Sequence, residues 1–216
     1  TNIRERRAIM RYVNLKDKAY QLIKGRIISG EYAPGQPLDE KAIIKELSIS
    51  RTPFREAINA LSKEDLVDIY PNRGMFVRAI TIEDISQVFD IRMILEPYMI
   101  RLVCGNMPEE VIDELDERQQ DADHMDEDAV LEEDDYFHQT ILKYVKNSHL
   151  IKIMQNLYDC NRMRIIFTRQ TLSSRRALTE HREILAAVRR NDPDEAARLM
   201  EDHILHSKNR AVNALL

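Results

Sequence analysis

The sequence predicts a mainly α-helical chain in two parts: an N-terminal winged helix-turn-helix, with three helices and a two-stranded wing, followed by an all-α helical bundle. Three observations lead to this. Strand-like alternation occurs once, in LVDIY and MFV on either side of the turn PNRG. From Thr81 onward every periodic segment repeats at the helical spacing. Charge is also divided. Residues 1–78 hold 15 Lys and Arg against 10 Asp and Glu, a net +5, which leaves −10 of the overall −5 on residues 79–216. A small basic front joined to a larger acidic back is the asymmetry of a polyanion-binding module attached to something else.

The first 13 residues, TNIRERRAIMRYV, are polar and basic and read as a loose arm or a first helical turn. A helix fits Leu15 to about Ser29, with Ala19, Leu22, Ile23 and Ile27 on one face. Gly30 ends it, and Pro34-Gly35 marks a turn. A short helix fits Asp39 to Leu47, with Asp39 as N-cap and Ala42, Ile43 and Leu47 inward. After Ser48, Ile49 and Ser50 a third helix runs from Arg51 to about Lys63, and the hairpin follows. This places a domain at 1–78, a linker at 79–81 and a second domain at 82–216. There, Thr81 and Asp84 form a capping-box pattern. Helices are expected at about 82–104, 108–123, 127–146, 148–170, 174–190 and 193–213. Pro97 should kink the first of these, Asn147 is a stop, and Pro193 sits at or near the start of the last. The acidic HMDEDAVLEEDD reads as a loop leading into a helix. No apolar run approaches a membrane span and no signal peptide opens the chain. Cys104 and Cys160 lack any paired spacing, which suits reduced thiols in a cytoplasmic protein.

The third helix carries the first functional signal. Phe54, Ala57, Ile58 and Leu61 form an inward stripe at i, i+3, i+4, i+7, and Arg51, Arg55 and Asn59 stand opposite at i, i+4, i+8. Ser50 and Thr52 sit at the helix tip, where free backbone N–H groups favour a phosphate. Arginines on such a tip suit entry into the DNA major groove, where they reach the O6 and N7 edge of guanine. The plainer alternative is a solvated basic face. The preceding short helix, the three-residue turn and the hairpin favour DNA.

The stretch PGQPLDEKAIIKELSISRTPFREAINALSKEDLVDIYPNRGMFV resembles the GntR-type winged helix, most specifically through SRTPFREA. The resemblance covers about residues 15–78. Ile44 stands where Ala is usual, and Asp65 where Gly follows the glutamate, which strains the entry to the wing if a positive φ is needed there. The resemblance implies that Arg51, Thr52 and Arg55 contact bases and phosphates, and that Arg73-Gly74 is the wing tip in the minor groove.

In the acidic part, Asp134 and His138 lie at i, i+4 on one helix face, while His181 and His203 each stand on a separate helix. Three imidazoles and one carboxylate suit zinc, nickel or manganese, and a bundle can converge them on its axis. A plain Asp–His hydrogen bond fits the same spacing. His124, His149 and His206 lack such a setting and read as surface residues. Arg92 interrupts the apolar stripe Ile85, Val88, Leu95 and Met99. A buried guanidinium needs an anion, which could be a carboxylate ligand, or Glu96 at i+4; snorkelling to the surface is a third option.

The motifs DIRMILEPYMIRLV, D-x-x-F-H from Asp134, Asn147, and H-x-x-I-L-x-A-V-x-x-N-D-x-x-x-A-x-x-x-M-x-x-H from His181 to His203 resemble the all-helical FCD ligand-binding domain of the FadR branch of GntR regulators. The resemblance implies that Asp134, His138, His181 and His203 hold a divalent metal, that the metal helps bind a small organic acid, and that Arg92 takes part in binding it. The leading reading is therefore a homodimeric, ligand-responsive regulator on a palindromic DNA operator, with repression as the expected sign and activation left open. A metal sensor with no metabolite is the second reading. A metal-dependent hydrolase is a third, disfavoured by the lack of HExxH, G-x-S-x-G or a phosphate-binding glycine loop among five glycines.

Overall fold

The computed structural model describes residues 3–79, 81–168 and 175–213. The chain divides into two compact units, Thr1–Ile80 with Arg162–Phe167, and Thr81–Asn161 with Thr168–Leu216.

In the first unit, helix α1 (Ile3–Ile28) starts well before the expected Leu15. The basic segment is neither an arm nor a single turn. It contains no Gly or Pro, and its Arg, Glu, Ala and Met are good helix formers, so nothing interrupts propagation. Gly30, at φ 80°, closes the helix as its N–H donates to Ile27 O at 3.1 Å. Helix α2 (Glu40–Leu47) is capped by Asp39, whose Oδ1 accepts from Ala42 N at 3.0 Å. Ile43 and Leu47 are buried as expected, but Ala42 is exposed, because it lies a quarter-turn away from their shared stripe. Ser48 turns the chain at φ 52°, Ile49 is buried in the turn, and helix α3 (Arg51–Lys63) begins. Its buried face is Pro53, Phe54, Ala57, Ile58 and Leu61, packed with Ala19, Ile23 and Ile27 of α1. Burying each such large apolar side chain contributes about 1.5–3 kcal/mol.

Strands β1 (Val67–Tyr70) and β2 (Gly74–Val77) pair antiparallel from Val67↔Val77 to Tyr70↔Gly74. Asp65 does adopt a positive φ, 58°, on entering the wing, and its carboxylate accepts from Arg78 Nη1 at 2.5 Å. The Pro34-Gly35 region does more than turn. Gly35 N donates to Val77 O, Val77 N to Gln36 O and Leu38 N to Met75 O at 2.8–2.9 Å, so the segment lines the outer edge of β2 through a Pro37↔Phe76 bridge.

Among the described residues from Thr81 onward the regular elements are all helices: α4 (Ile82–Val103), α5 (Glu109–Arg118), α6 (Glu127–Lys143), α7 (Ser148–Thr168, of which Arg162–Phe167 groups with the first unit), α8 (Arg175–Arg189) and α9 (Pro193–Asn213). The Thr81–Asp84 capping box is formed on both sides, Asp84 N to Thr81 Oγ1 at 3.1 Å and Thr81 N to Asp84 Oδ2 at 2.9 Å. α4 continues through Pro97 to Val103. The acidic stretch leads into its helix as expected: Asp126 Oδ1 accepts from Ala129 N at 2.9 Å, and α6 is under way from Glu127. Asn147 both follows one helix and caps the next, accepting from His149 N and Leu150 N at 3.1 and 3.2 Å. The expected extension of α7 to residue 170 runs outside the described residues, as does the end of the chain past 213. α4 packs most extensively on α9, and α9 on α8. Phe89, Met99, Leu115, Phe137, Ile141, Ile184 and Ile204 fill the interior, and neither Cys104 nor Cys160 is in a disulfide. Among the described residues no helix is long and apolar enough to cross a membrane.

Candidate functional site

Two sets of residues emerge, one in each unit. In the first, the side that α3 turns away from its core presents Ser50, Arg51, Thr52, Arg55 and Asn59, all exposed, and the wing tip adds exposed Arg73 and Gly74. The free edge arises because the buried face of α3 is fully used against α1 and the wing, leaving the arginines no apolar surface to lie on. Arg55 and Asn59 line a groove closed on its other side by Tyr70, Asn72, Gly74 and Met75 of the wing. Gly74, at φ 110°, occupies a conformation closed to other residues, and Asn72 precedes it at φ 62°. These two tighten the tip that carries Arg73. Arg51 is 72% exposed and its Nε lies 3.3 Å from Glu40 Oε1, a partner the sequence reading did not consider. An ion pair this exposed contributes little to stability.

In the second unit the four expected ligands converge. Asp134 and His138 come from α6, His181 from α8 and His203 from α9, and their ligand atoms all lie within 4.8 Å of one another. His181 Nε2 is 3.2 Å from His203 Nε2, His203 Nε2 is 3.3 Å from His138 Nε2, and Asp134 Oδ1 is 3.7 Å from His181 Nε2. The three histidines are buried and Asp134 is largely so. Burial pushes His181 well below its ordinary pKa, with the charges of His203, His138, Arg92 and Arg210 adding to it. His203 is lowered by burial too, against the pull of its hydrogen bond to Glu180. Three Nε2 atoms gathered together with a carboxylate oxygen, where burial disfavours the protonated form of His181 and His203, form a donor set suited to a borderline divalent cation. The residues therefore fit the metal that the motif implies.

Arg92 is buried on α4, and its Nε donates to Glu96 Oε1 at 2.5 Å. The i,i+4 pairing weighed from the sequence is thus formed, and snorkelling is not. The buried face of α4 runs Ile85, Phe89, Arg92, Glu96, Met99 and Val103, so Val88 and Leu95 stand only at its margin. Burial would raise the Glu96 carboxyl, but the Arg92 guanidinium and then His138 hold it down at about 2. Arg92 also lies over the rings of Phe89 and Tyr158, at 5.0 and 5.5 Å. The Tyr158 hydroxyl is buried without a hydrogen-bond partner, and burial followed by the Glu96 charge raises its pKa well above the ordinary value.

The sequence reading missed Glu180 and Tyr158, weighed Glu96 only as a partner of Arg92, and placed His206 at the surface. Glu96 Oε2 lies 2.8 Å from His138 Nδ1, outside hydrogen-bond alignment. Glu180 Oε2 is 3.0 Å from His203 Nδ1, and its Oε1 is 2.8 Å from His206 Nδ1. His206, expected at the surface, is half-buried for that reason, while His124 and His149 are exposed. The only signal for Glu96 was its place one turn from Arg92. Glu180 and Tyr158 carried none.

Residues 15–77 match the family described as bacterial regulatory proteins of the gntR family, and residues 87–206 match the FCD domain. The chain is 24% identical over 193 residues to the HTH-type transcriptional regulator YdhC of Bacillus subtilis, covering 87% of this chain and 86% of that one. It is 29% identical over 182 residues to the gluconate operon transcriptional repressor of Bacillus licheniformis (80% and 74% covered). It is 26% identical over 195 residues to the repressor RspR of Escherichia coli (88% and 86% covered). Two solved structures share the fold. A GntR regulator from Rhodococcus sp. RHA1 has a TM-score of 0.75 at 23% identity, covering 92% of this chain and 97% of that one. E. coli McbR/YncC has 0.76 at 18%, covering 94% and 99%.

Proposed function

This chain belongs to the GntR family of bacterial regulators and carries an FCD domain, and from that membership we propose that it represses transcription from a palindromic operator and releases DNA in response to a metal-assisted carboxylate ligand. The chain is a DNA-binding transcriptional regulator and not an enzyme, so the hydrolase reading falls. In the proposal, α3 enters the major groove with Arg51, Arg55 and Asn59, Ser50 and Thr52 take phosphates at its N-terminus, and Arg73-Gly74 approaches the minor groove. The second unit holds a divalent ion, zinc, nickel or manganese, on Asp134, His138, His181 and His203. A small organic acid lies beside it with Arg92. Glu96 engages Arg92 only through Nε, which leaves the Nη1–Nη2 edge for a carboxylate. Two copies pair through the second unit. Ile91, Ile94, Tyr98 and Leu102 line one exposed face of α4, with Ile94 71% exposed, which is apolar surface that a two-fold partner would cover. A chain working on DNA in this way is cytoplasmic.

The observation that carries the proposal is the convergence of four donor atoms from three helices within 4.8 Å, in a chain whose other unit exposes an arginine-tipped helix. The test is elemental analysis of the purified protein, followed by operator titration with and without added metal and organic acids. About one ion per chain, and DNA affinity that changes only when an acid is added, is the expected result. Protein that takes up no zinc, nickel or manganese would sink the metal half.

A second reading is favoured by one observation. Arg92 already has an internal counter-ion in Glu96, so the interior needs no acid to neutralise it. The metal itself is then the effector, and metal alone shifts DNA affinity in the same titration.

A further inference from the structure

Two carboxylates stand behind the clustered histidines. Glu180 Oε2 meets His203 Nδ1 at 3.0 Å, and Glu96 Oε2 approaches His138 Nδ1 to 2.8 Å. In both rings the opposite nitrogen faces the cluster, with the two Nε2 atoms 3.3 Å apart. A neutral imidazole that keeps its proton on Nδ1 carries its lone pair on Nε2, and an acceptor at Nδ1 selects that tautomer and fixes the ring. The Glu96–His138 approach needs a small ring rotation to align, which the soft χ2 torsion of histidine allows. His181 is held differently. Its Nδ1 is buried with no partner, and its ring lies flat on Phe137, centroids 3.8 Å apart and planes 8° from parallel. Stacking orients that ring without choosing its tautomer.

Each carboxylate also has a second role. Glu180 Oε1 lies 2.8 Å from His206 Nδ1, and Glu96 Oε1 accepts from Arg92. Arg92 therefore fixes Glu96, which in turn faces His138, so a guanidinium that offers no ligand atom is joined to the donor set through one carboxylate.

We propose that Glu96 and Glu180 are positioning residues that hold His138 and His203 with Nε2 available to the metal, and that Glu96 links this site to Arg92. The inference rests on the metal reading above. It assigns the two histidines to carboxylate support and leaves His181 to aromatic support, so carboxylate loss acts on two of the three rings.

The test is zinc affinity of the full chain, measured by competition with a chelating dye, together with ¹⁵N spectra of the histidine rings. Glu180→Gln replaces a partly solvated carboxylate and keeps the fold. Glu96→Gln leaves an acceptor for Arg92. If Glu96→Gln fails to fold, the double variant Arg92→Met/Glu96→Leu removes both buried charges together and takes its place. Each variant is expected to lose about 10–100-fold in zinc affinity while still saturating, with the His203 Nδ1–H signal shifting in Glu180→Gln as its charged acceptor becomes a neutral amide, and the His181 signal unmoved. Wild-type zinc affinity in Glu180→Gln and in the Glu96 variant overturns the proposal and leaves the metal reading intact. A wild-type chain that binds no zinc removes the metal reading, and this proposal with it.

Discussion

The exposed arginine face of α3 with the wing tip, and the histidine cluster, are built on opposite plans. The first is drawn mostly from one short segment, Ser50 to Asn59, and every member is exposed. The second is gathered from α6, α8 and α9, across Asp134 to His203, and its three histidines are buried. An exposed arginine costs little to keep and contributes little to stability, so that surface can be tuned for its partner alone. Buried ionisable groups must be satisfied by neighbours, and here the neighbours are Glu96, Arg92 and Glu180. Substitutions on the two should therefore separate: affinity without stability on one side, both together on the other.

The sharpest break comes at the cluster. His138→Ala/His181→Ala removes two of four donors, and metal binding should vanish. In the wild type, free metal at about a hundred times Kd adds about 2.7 kcal/mol to the stability of the unit that binds it. Calorimetry with and without zinc should show this shift in the wild type and none in the double variant, while operator affinity of the metal-free proteins stays equal. A zinc-dependent shift that survives in the double variant would separate the metal from these residues.

A smaller effect is expected on the DNA side. Arg51→Ala or Arg55→Ala should cost about 1–3 kcal/mol of specific operator affinity with the thermal transition unmoved. Titration at several salt concentrations distinguishes their roles: loss of a phosphate contact lowers the salt slope by about one, loss of a base contact relaxes sequence preference instead. Unchanged affinity in both variants would take these arginines out of the interface.

The same contrast explains what the sequence made readable. The α3 boundaries and its inward stripe follow from four apolar residues at helical spacing, and the wing from alternation around a tight turn. Both are local patterns, and so is the arginine face. The cluster was not local. Spacing alone joined Asp134 to His138; His181 and His203 stood out as single imidazoles on separate helices, and the likeness to FCD domains is what implied that all four hold one metal. Glu180, and the approach of Glu96 to His138, stayed hidden because a helical glutamate looks the same in sequence whether water or an imidazole faces it. The Gly35–Leu38 edge was hidden for a related reason: two residues between prolines show no alternation, and the pairing of this segment is decided by where β2 lies. Helix α1 ran further forward than its apolar stripe, since nothing in the basic segment stops it.

The smallest effect expected is in the pH dependence of the metal-free protein. The unfolded chain's histidines titrate near 6.5, whereas burial and neighbouring positive charge depress His181 well below that, and burial depresses His203. As pH falls below 6.5 the unfolded chain binds protons that the folded site refuses, so this contribution is full above 6.5 and is lost on acidification. Glu96 acts in a lower window. Its carboxyl sits at about 2 against 4.5 for the free group, so its contribution holds above 4.5 and declines from there toward 2. Melting of the metal-free protein should therefore weaken in two steps on acidification, the first below 6.5 and the second below 4.5. In His181→Phe, which keeps a ring to stack on Phe137, the first step should shrink and the second persist. Bound metal adds to the first step, because its ligands must be deprotonated and acid releases the ion. A metal-free profile that stays flat from pH 7 to 5 would mean that the buried imidazoles take up protons in place, and that they are not held as neutral donors.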